Sequence, residues 1–335
     1  MRSFTQLIAG AWFLLAASNA FGGPSPAPGY EIEIVGKPGA IFGSLTRDGD
    51  AIVVTDLAEG QLLRRGPDGK FIAFGPALPH GLDVFGDPIG PYKAVRYGPN
   101  YLVAQGATPI GKDESPNDHA LLEVDETSVV KVVQGDFWNP FDFALDGAML
   151  YVVDASRNDV ERMRTDGSDK TTLFTFARLK VKENKSTPPA PAEVGKEQTE
   201  EVAAVPTGIT IRDGRIYLSL FAGFPYIAGS GRIVSLPAAE EATSARIEAL
   251  DLNMPVDVAF DPNGRLLVLE HGAYDQSAGW APGSGRLLAI ELASGERHVL
   301  VDGLTQPVGV LVFDANQIVV SQLDGNLVFL KRKAP

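Results

Sequence analysis

Four carboxylates in this 335-residue chain occupy places where they could do chemistry together. Asp142 and Asp257 each stand two positions after a proline that opens an apolar run, and Asp154 and Glu270 each close the apolar run that follows. Oxygen donors repeated at matching places suit a hard cation such as calcium, and Asn139 lies close by in sequence. Carboxylates at such places could equally accept hydrogen bonds from backbone N–H groups at strand ends. The spacing alone leaves both readings open.

A second group of residues is aromatic. Phe224 and Tyr226 sit in "FAGFPYIAGSG", and Tyr274 and Trp280 sit in "HGAYDQSAGWAPGSG". Each stretch ends in Gly-Ser-Gly-Arg, at 229–232 and 283–286. An apolar run follows each instead of a helix, so neither supplies a helix N-terminus for a phosphate. His80 and His271 are the histidines that could reach a ligand beside these rings; a general base needs hydrogen-bond reach of its substrate. Glu270 precedes His271, but successive strand residues point to opposite faces, so the two are not expected to touch. The chain has no cysteine and no serine nucleophile elbow.

The elements that must position these groups come from a repeated phrase: a proline, an alternating apolar run, a tight Gly-containing turn, then a second apolar run. It begins at Pro38, Pro79, Pro140, Pro206, Pro255 and Pro307, with third strands such as "GRIVSL", "GRLLAI" and "NLVFL". Six such units predict an all-β, six-bladed β-propeller. The last unit has room for three strands only, and "YEIEIVG" from Tyr30 is a spare strand at the other end of the chain. Pairing the two would close the ring and remove an exposed edge. In that geometry the starts of the units share a rim with the connections after the second strands. Those connections are long in blades 2 (106–119), 4 and 5. Phe224, Tyr226, Tyr274 and Trp280, with His80 and His271, are therefore expected on one rim, as the wall of a cleft. At the second residue after each opening proline stand Ala40, Gly81, Asp142, Gly208, Asp257 and Gly309. At the ends of the second strands stand Asp56, Gln105, Asp154, Leu220, Glu270 and Gln322.

The stretch "VPTGITI" with "IYLSLFAGFPYIAGSGRIVSL", followed by "PVDVAFDPNGRLLVLE", resembles the ScyD/ScyE family of exported propellers, relatives of the NHL-repeat proteins. The resemblance spans most of the chain after its first residues and implies a six-bladed, gluconolactonase-like propeller. It also implies a Pro-rich insertion of the kind seen at 178–205. One residue departs from the family pattern: Leu220 stands where an acid commonly precedes the Gly-Phe-Pro loop.

Composition bounds the rest. With 42 acidic and 29 basic side chains the formal charge is −13, which disfavours nucleic acid and anionic membrane surfaces as partners. Residues 1–22 read as a cleaved signal peptide, with Arg2, an apolar Leu7–Ala17 run and small residues after it, so the product is expected to be secreted or periplasmic, without a membrane span. Residues 23–335 then form one propeller domain, with 178–205 as a mobile Lys/Glu/Pro-rich insertion carrying the sequon Asn184-Lys185-Ser186. The favoured function is a non-catalytic binding module for a small molecule, glycan or protein partner. The alternative on the same fold is a calcium-dependent lactonase-like hydrolase or a quinone-dependent sugar oxidoreductase.

Overall fold

The computed structural model describes residues 23–182, 199–239 and 242–333, and all regular structure in them is β. The second strand of each blade shows why. "AIVVTD", "NYLVAQ", "MLYVVD", "RIYLSL", "LLVLE" and "QIVVSQ" are apolar nearly throughout instead of alternating, and each is buried almost end to end. A strand covered on both faces by neighbouring sheets needs that composition. Turn chemistry joins it to the strand before: in blade 4, Asp213 (φ 50°) and Gly214 (φ 69°) form the mirror-image hairpin turn whose twist matches the strands.

Six four-stranded antiparallel sheets result. Their first strands are Phe42–Asp48, Pro91–Tyr97, Pro140–Asp146, Pro206–Arg212, Pro255–Phe260 and Pro307–Val312. These pack against one another around a central channel. Tyr30–Gly36 closes the ring as the outer strand of blade 6, antiparallel to Asn326–Arg332, with Ile32 opposite Leu330 and Val35 opposite Leu327. Just before it, Ser25–Pro26 adds a short fifth strand to blade 5, opposite Asp302 and Val301.

Where each first strand meets the end of the second, the register shifts by a bulge, for example between Pro140 and Asp142 and between Pro255 and Asp257. The extra residue turns the position after the bulge towards the channel. Two of the expected openings move. Blade 2 begins at Pro91 and not at Pro79, because "PYKAVRYGPNYLVAQ" supplies a full strand–turn–strand unit while the Pro79 tract forms only a two-residue hairpin, Gly81–Leu82 with Pro88–Ile89. Blade 1 begins at Phe42. The positions two after the opening residues of these blades are consequently Ser44 and Lys93, not Ala40 and Gly81.

The insertion also differs from expectation at its ends. Leu179–Lys182 pairs with Thr199–Val202, and Leu179, Val181 and Val202 are buried in the core between blades 3 and 4. Apolar residues at alternate positions anchor the stem despite the charged composition between them. Residues 183–198, with the sequon, and residues 1–22, expected from sequence to be a signal peptide, lie outside the described residues.

Candidate functional site

The four expected metal ligands separate into two kinds. Asp154 and Glu270, at second-strand ends, are fully buried and bound to the chain entering their own blade. Asp154 accepts N–H bonds from Trp138 (2.7 Å), Asn139 (2.9 Å) and Arg157 (3.3 Å). Glu270 accepts one from Asn253 (2.7 Å), and its other oxygen takes Arg286 at 2.6 Å. Asp56 does the same with Ile41, and Gln322 with Thr305. A side chain at this position therefore ties each blade's second strand to the incoming segment. Leu220 is the exception: it is buried in the apolar core, and the following backbone makes the ties itself, from Phe221, Ala222 and Gly223 to Val205, Ala204 and Ala203.

Asp142 and Asp257 face the channel instead. Asp142 bonds the amides of Phe143 and, in blade 4, Ile209; Asp257 bonds those of Val258 and, in blade 6, Val310. Lys93, not foreseen as a site residue, reaches Asp142 at 2.5 Å. Burial and the neighbouring Asp142 push the Asp257 carboxyl up to about 7. The trio lies in the channel; a hollow of about 530 Å³, lined by Lys93 and Asp257, extends to Arg47, Arg212 and Asp261. Among the described residues no three acidic or histidine groups converge as a metal-binding set.

Above the trio, on the rim where the first strands begin, lies a cleft of about 410 Å³. Phe224, Tyr226, Trp280 and His271 line it. Tyr274 stands behind them, its ring 5.0 Å from Tyr226 and 4.9 Å from Trp280. Trp280 is the hub, 5.1 Å from Tyr226, 4.6 Å from His271 and 5.9 Å from Phe221. Their loops are held by close approaches that only glycine permits: a Cβ on Gly231 would sit 2.1 Å from Pro255 Cδ, and one on Gly285 2.6 Å from Pro307 Cδ. That accounts for the two Gly-Ser-Gly-Arg stretches. Ala222 (φ 70°) and Tyr226 (φ 57°) adopt the left-handed region, concentrating strain of about 1 kcal/mol each at this loop.

His271 is 7% exposed. Its Nδ1 lies 2.9 Å from the carbonyl of Pro307, which accepts a hydrogen bond from the ring N–H there and so leaves Nε2 as an acceptor. No described residue bonds Nε2. Burial lowers the pKa of this imidazole to about 4, so it is neutral at physiological pH. His80 is not in the cleft; it bonds the Leu78 carbonyl beside Gly60.

The facing wall escaped the sequence reading. The loop 106–119 does not form it, but props the Gly81–Ile89 hairpin from behind, through Pro109 against Gly81 and an Ile110 N–H bond to Leu82. That hairpin carries Asp83, Phe85 and Asp87 over the cleft. Tyr92 and Phe141, with rings 4.7 Å apart, form the floor with Leu57 and Ile89. The tract's Asp, Gly and Pro residues were the available signal of a turn between blades.

No protein-family model matches the chain, and no curated protein sequence does. Solved structures do. The chain is similar to a gluconolactonase from Xanthomonas campestris (10% identity, TM-score 0.56, 94% of this chain and 99% of that one). It is also similar to a protein assigned as an oxidoreductase (glucose dehydrogenase) from Thermus thermophilus (14%, 0.54, 90% and 100%) and to virginiamycin B lyase from Staphylococcus aureus (12%, 0.50, 90% and 99%). At such identities the likeness shows the propeller fold alone. The non-catalytic role favoured from sequence draws no support from these neighbours, whose descriptions are enzymatic. Among the described residues no helix is long and apolar enough to cross a membrane.

Proposed function

We propose that this protein is an exported propeller that takes a small organic molecule into the rim cleft, as the resemblance to the ScyD/ScyE propellers and the leader-like first residues suggest for its location. The observation that carries the reading is the convergence of Phe224, Tyr226 and Trp280, from two adjacent blades, around a hollow also lined by the buried His271, whose Nε2 no described residue bonds. Rings gathered only to pack loops would need no such hollow. Apolar walls with a few convergent polar groups are the usual composition of a ligand site.

A second reading is favoured by His271 itself. Its tautomer is set by the Pro307 carbonyl, no described residue bonds its other nitrogen, and the ring lines the cleft, so it could accept a proton from a bound substrate in a lyase-like or lactone-opening reaction. A metal-dependent mechanism has less to rest on, since Asp154 and Glu270 are committed to backbone amides and Asp142 to Lys93.

The test is a titration with lactones, sugars and aromatic small molecules, followed by intrinsic fluorescence and by product analysis. Binding that persists in Trp138→Phe and is lost in Trp280→Ala supports the cleft. Binding indifferent to both Trp280→Ala and Tyr226→Ala would overturn it. Turnover that disappears in His271→Asn while binding remains would establish the second reading.

A further inference from the structure

The charge of the cleft narrows what can enter it. Among the described residues neither lysine nor arginine lines it, while Asp83 and Asp87 do. Asp83 spends one oxygen on the hairpin, accepting the amides of Phe85 (2.7 Å) and Asp87 (3.0 Å). No described residue donates to its other oxygen or to the Asp87 carboxylate. Both charges reach across to the far wall and the floor: after burial itself, Asp87 and Asp83 are what hold the Tyr226 phenol up at about 12, and they push the Tyr92 phenol in the same direction. The carboxylates thus act on the same space that the rings enclose.

The rings are uncapped. Elsewhere in this fold cations of the chain lie over aromatic faces, as Arg157 over Trp138 (5.5 Å) and Arg64 over Phe74 (4.3 Å). Among the described residues none lies over Phe221, Phe224, Tyr226 or Trp280. Ring faces carry negative potential and attract cations, and they do so most strongly where water is displaced. His271 is neutral, so it adds an acceptor and no repulsion.

Resting on the reading of the cleft as a small-molecule site, we infer that its ligand is an organic cation with an apolar body, an ammonium or quaternary ammonium held between the aromatic wall and Asp87. An anion such as a sugar acid would meet two carboxylates and no counter-charge. A neutral sugar would leave the carboxylate charges uncompensated.

The probes are benzyltrimethylammonium, its uncharged isostere neopentylbenzene, glucose and gluconolactone, titrated by calorimetry into the full exported chain. The expected result is that benzyltrimethylammonium binds at least tenfold more tightly than the isostere. Asp87→Asn should remove that advantage while leaving the isostere's affinity unchanged, and Asp87→Glu should restore it. Asp87 is the residue to change, since Asp83 also holds the hairpin turn. Equal or tighter binding of the isostere, of glucose or of gluconolactone would overturn the cation and leave the cleft standing. An Asp87→Asn variant that keeps the cation preference would do the same. If none of the probes binds and Trp280→Ala changes nothing, both this inference and the cleft reading fall.

Discussion

Replacing Asp154 tests whether the rim acids are strand-end ties or metal ligands. Its carboxylate is wholly buried and receives three backbone amides, two of them at 2.7 and 2.9 Å, besides Arg157 at 3.6 Å. Truncation in Asp154→Ala strands those amides without water, and each buried donor left unsatisfied costs about 1–3 kcal/mol. Counting the two short bonds, the loss should be about 2–6 kcal/mol, or roughly 2 °C of melting temperature for each kcal/mol in a chain of this size. Asp154→Asn keeps one acceptor oxygen, and blade 6 shows that a neutral amide can serve, since Gln322 Oε1 takes the Thr305 amide at 2.7 Å. Its loss should therefore be about half as large. The assay is thermal melting of wild type and both variants, with chelator and with millimolar calcium. Losses of the same size in both media are expected. If chelator lowers the wild type to the level of the variants and calcium restores only the wild type, Asp154 binds metal and the tie is refuted. A variant within 1 °C of wild type would refute it as well.

The remaining predictions probe the channel, the closure and the loops. Asp257, held near 7, binds its proton more tightly folded than unfolded, so its contribution favours the folded chain at low pH and fades as pH rises from about 4 to about 7. In urea unfolding across that range, Asp257→Asn should gain on the wild type by up to about 4 kcal/mol with rising pH; a pH-independent difference would defeat the assignment. Glu31 and Lys331 face each other across the closing strands in a chain free of cysteine. A disulfide between Glu31→Cys and Lys331→Cys should form on oxidation and add about 2–4 kcal/mol, whereas failure to form would deny the pairing. Gly231→Ala places a methyl against Pro255 and should cost about 1–3 kcal/mol, with loss of probe binding in the adjacent cleft; a neutral outcome would show that the blades separate easily there.

Much of the architecture was legible because it is local and repeated. Apolar runs of strand length, Asp-Gly and Asn-Gly turns and six recurrences of one phrase demand a ring of antiparallel sheets, and an unpaired strand at each end demands that they meet. The rings of blades 4 and 5 were legible for the same reason, since equivalent loops of neighbouring repeats must share a rim. Where the phrase was imitated by a turn-rich tract, at Pro79, the reading slipped, and with it went Lys93, Asp83 and Asp87.

Which of its two possible roles, cation ligand or strand-end cap, a buried carboxylate takes was not legible. Asp142 and Asp154 are chemically identical and twelve positions apart, yet a bulge turns one into the channel towards Lys93 while the other meets two amides of the chain entering its blade and one of the turn that follows it. Sequence determined which residue types stand at the strand ends, because hairpin pairing is decided by neighbours along the chain. Their partners come from segments brought near only by closure of the ring, so hydrogen bonding and charge at each site were set by the tertiary structure.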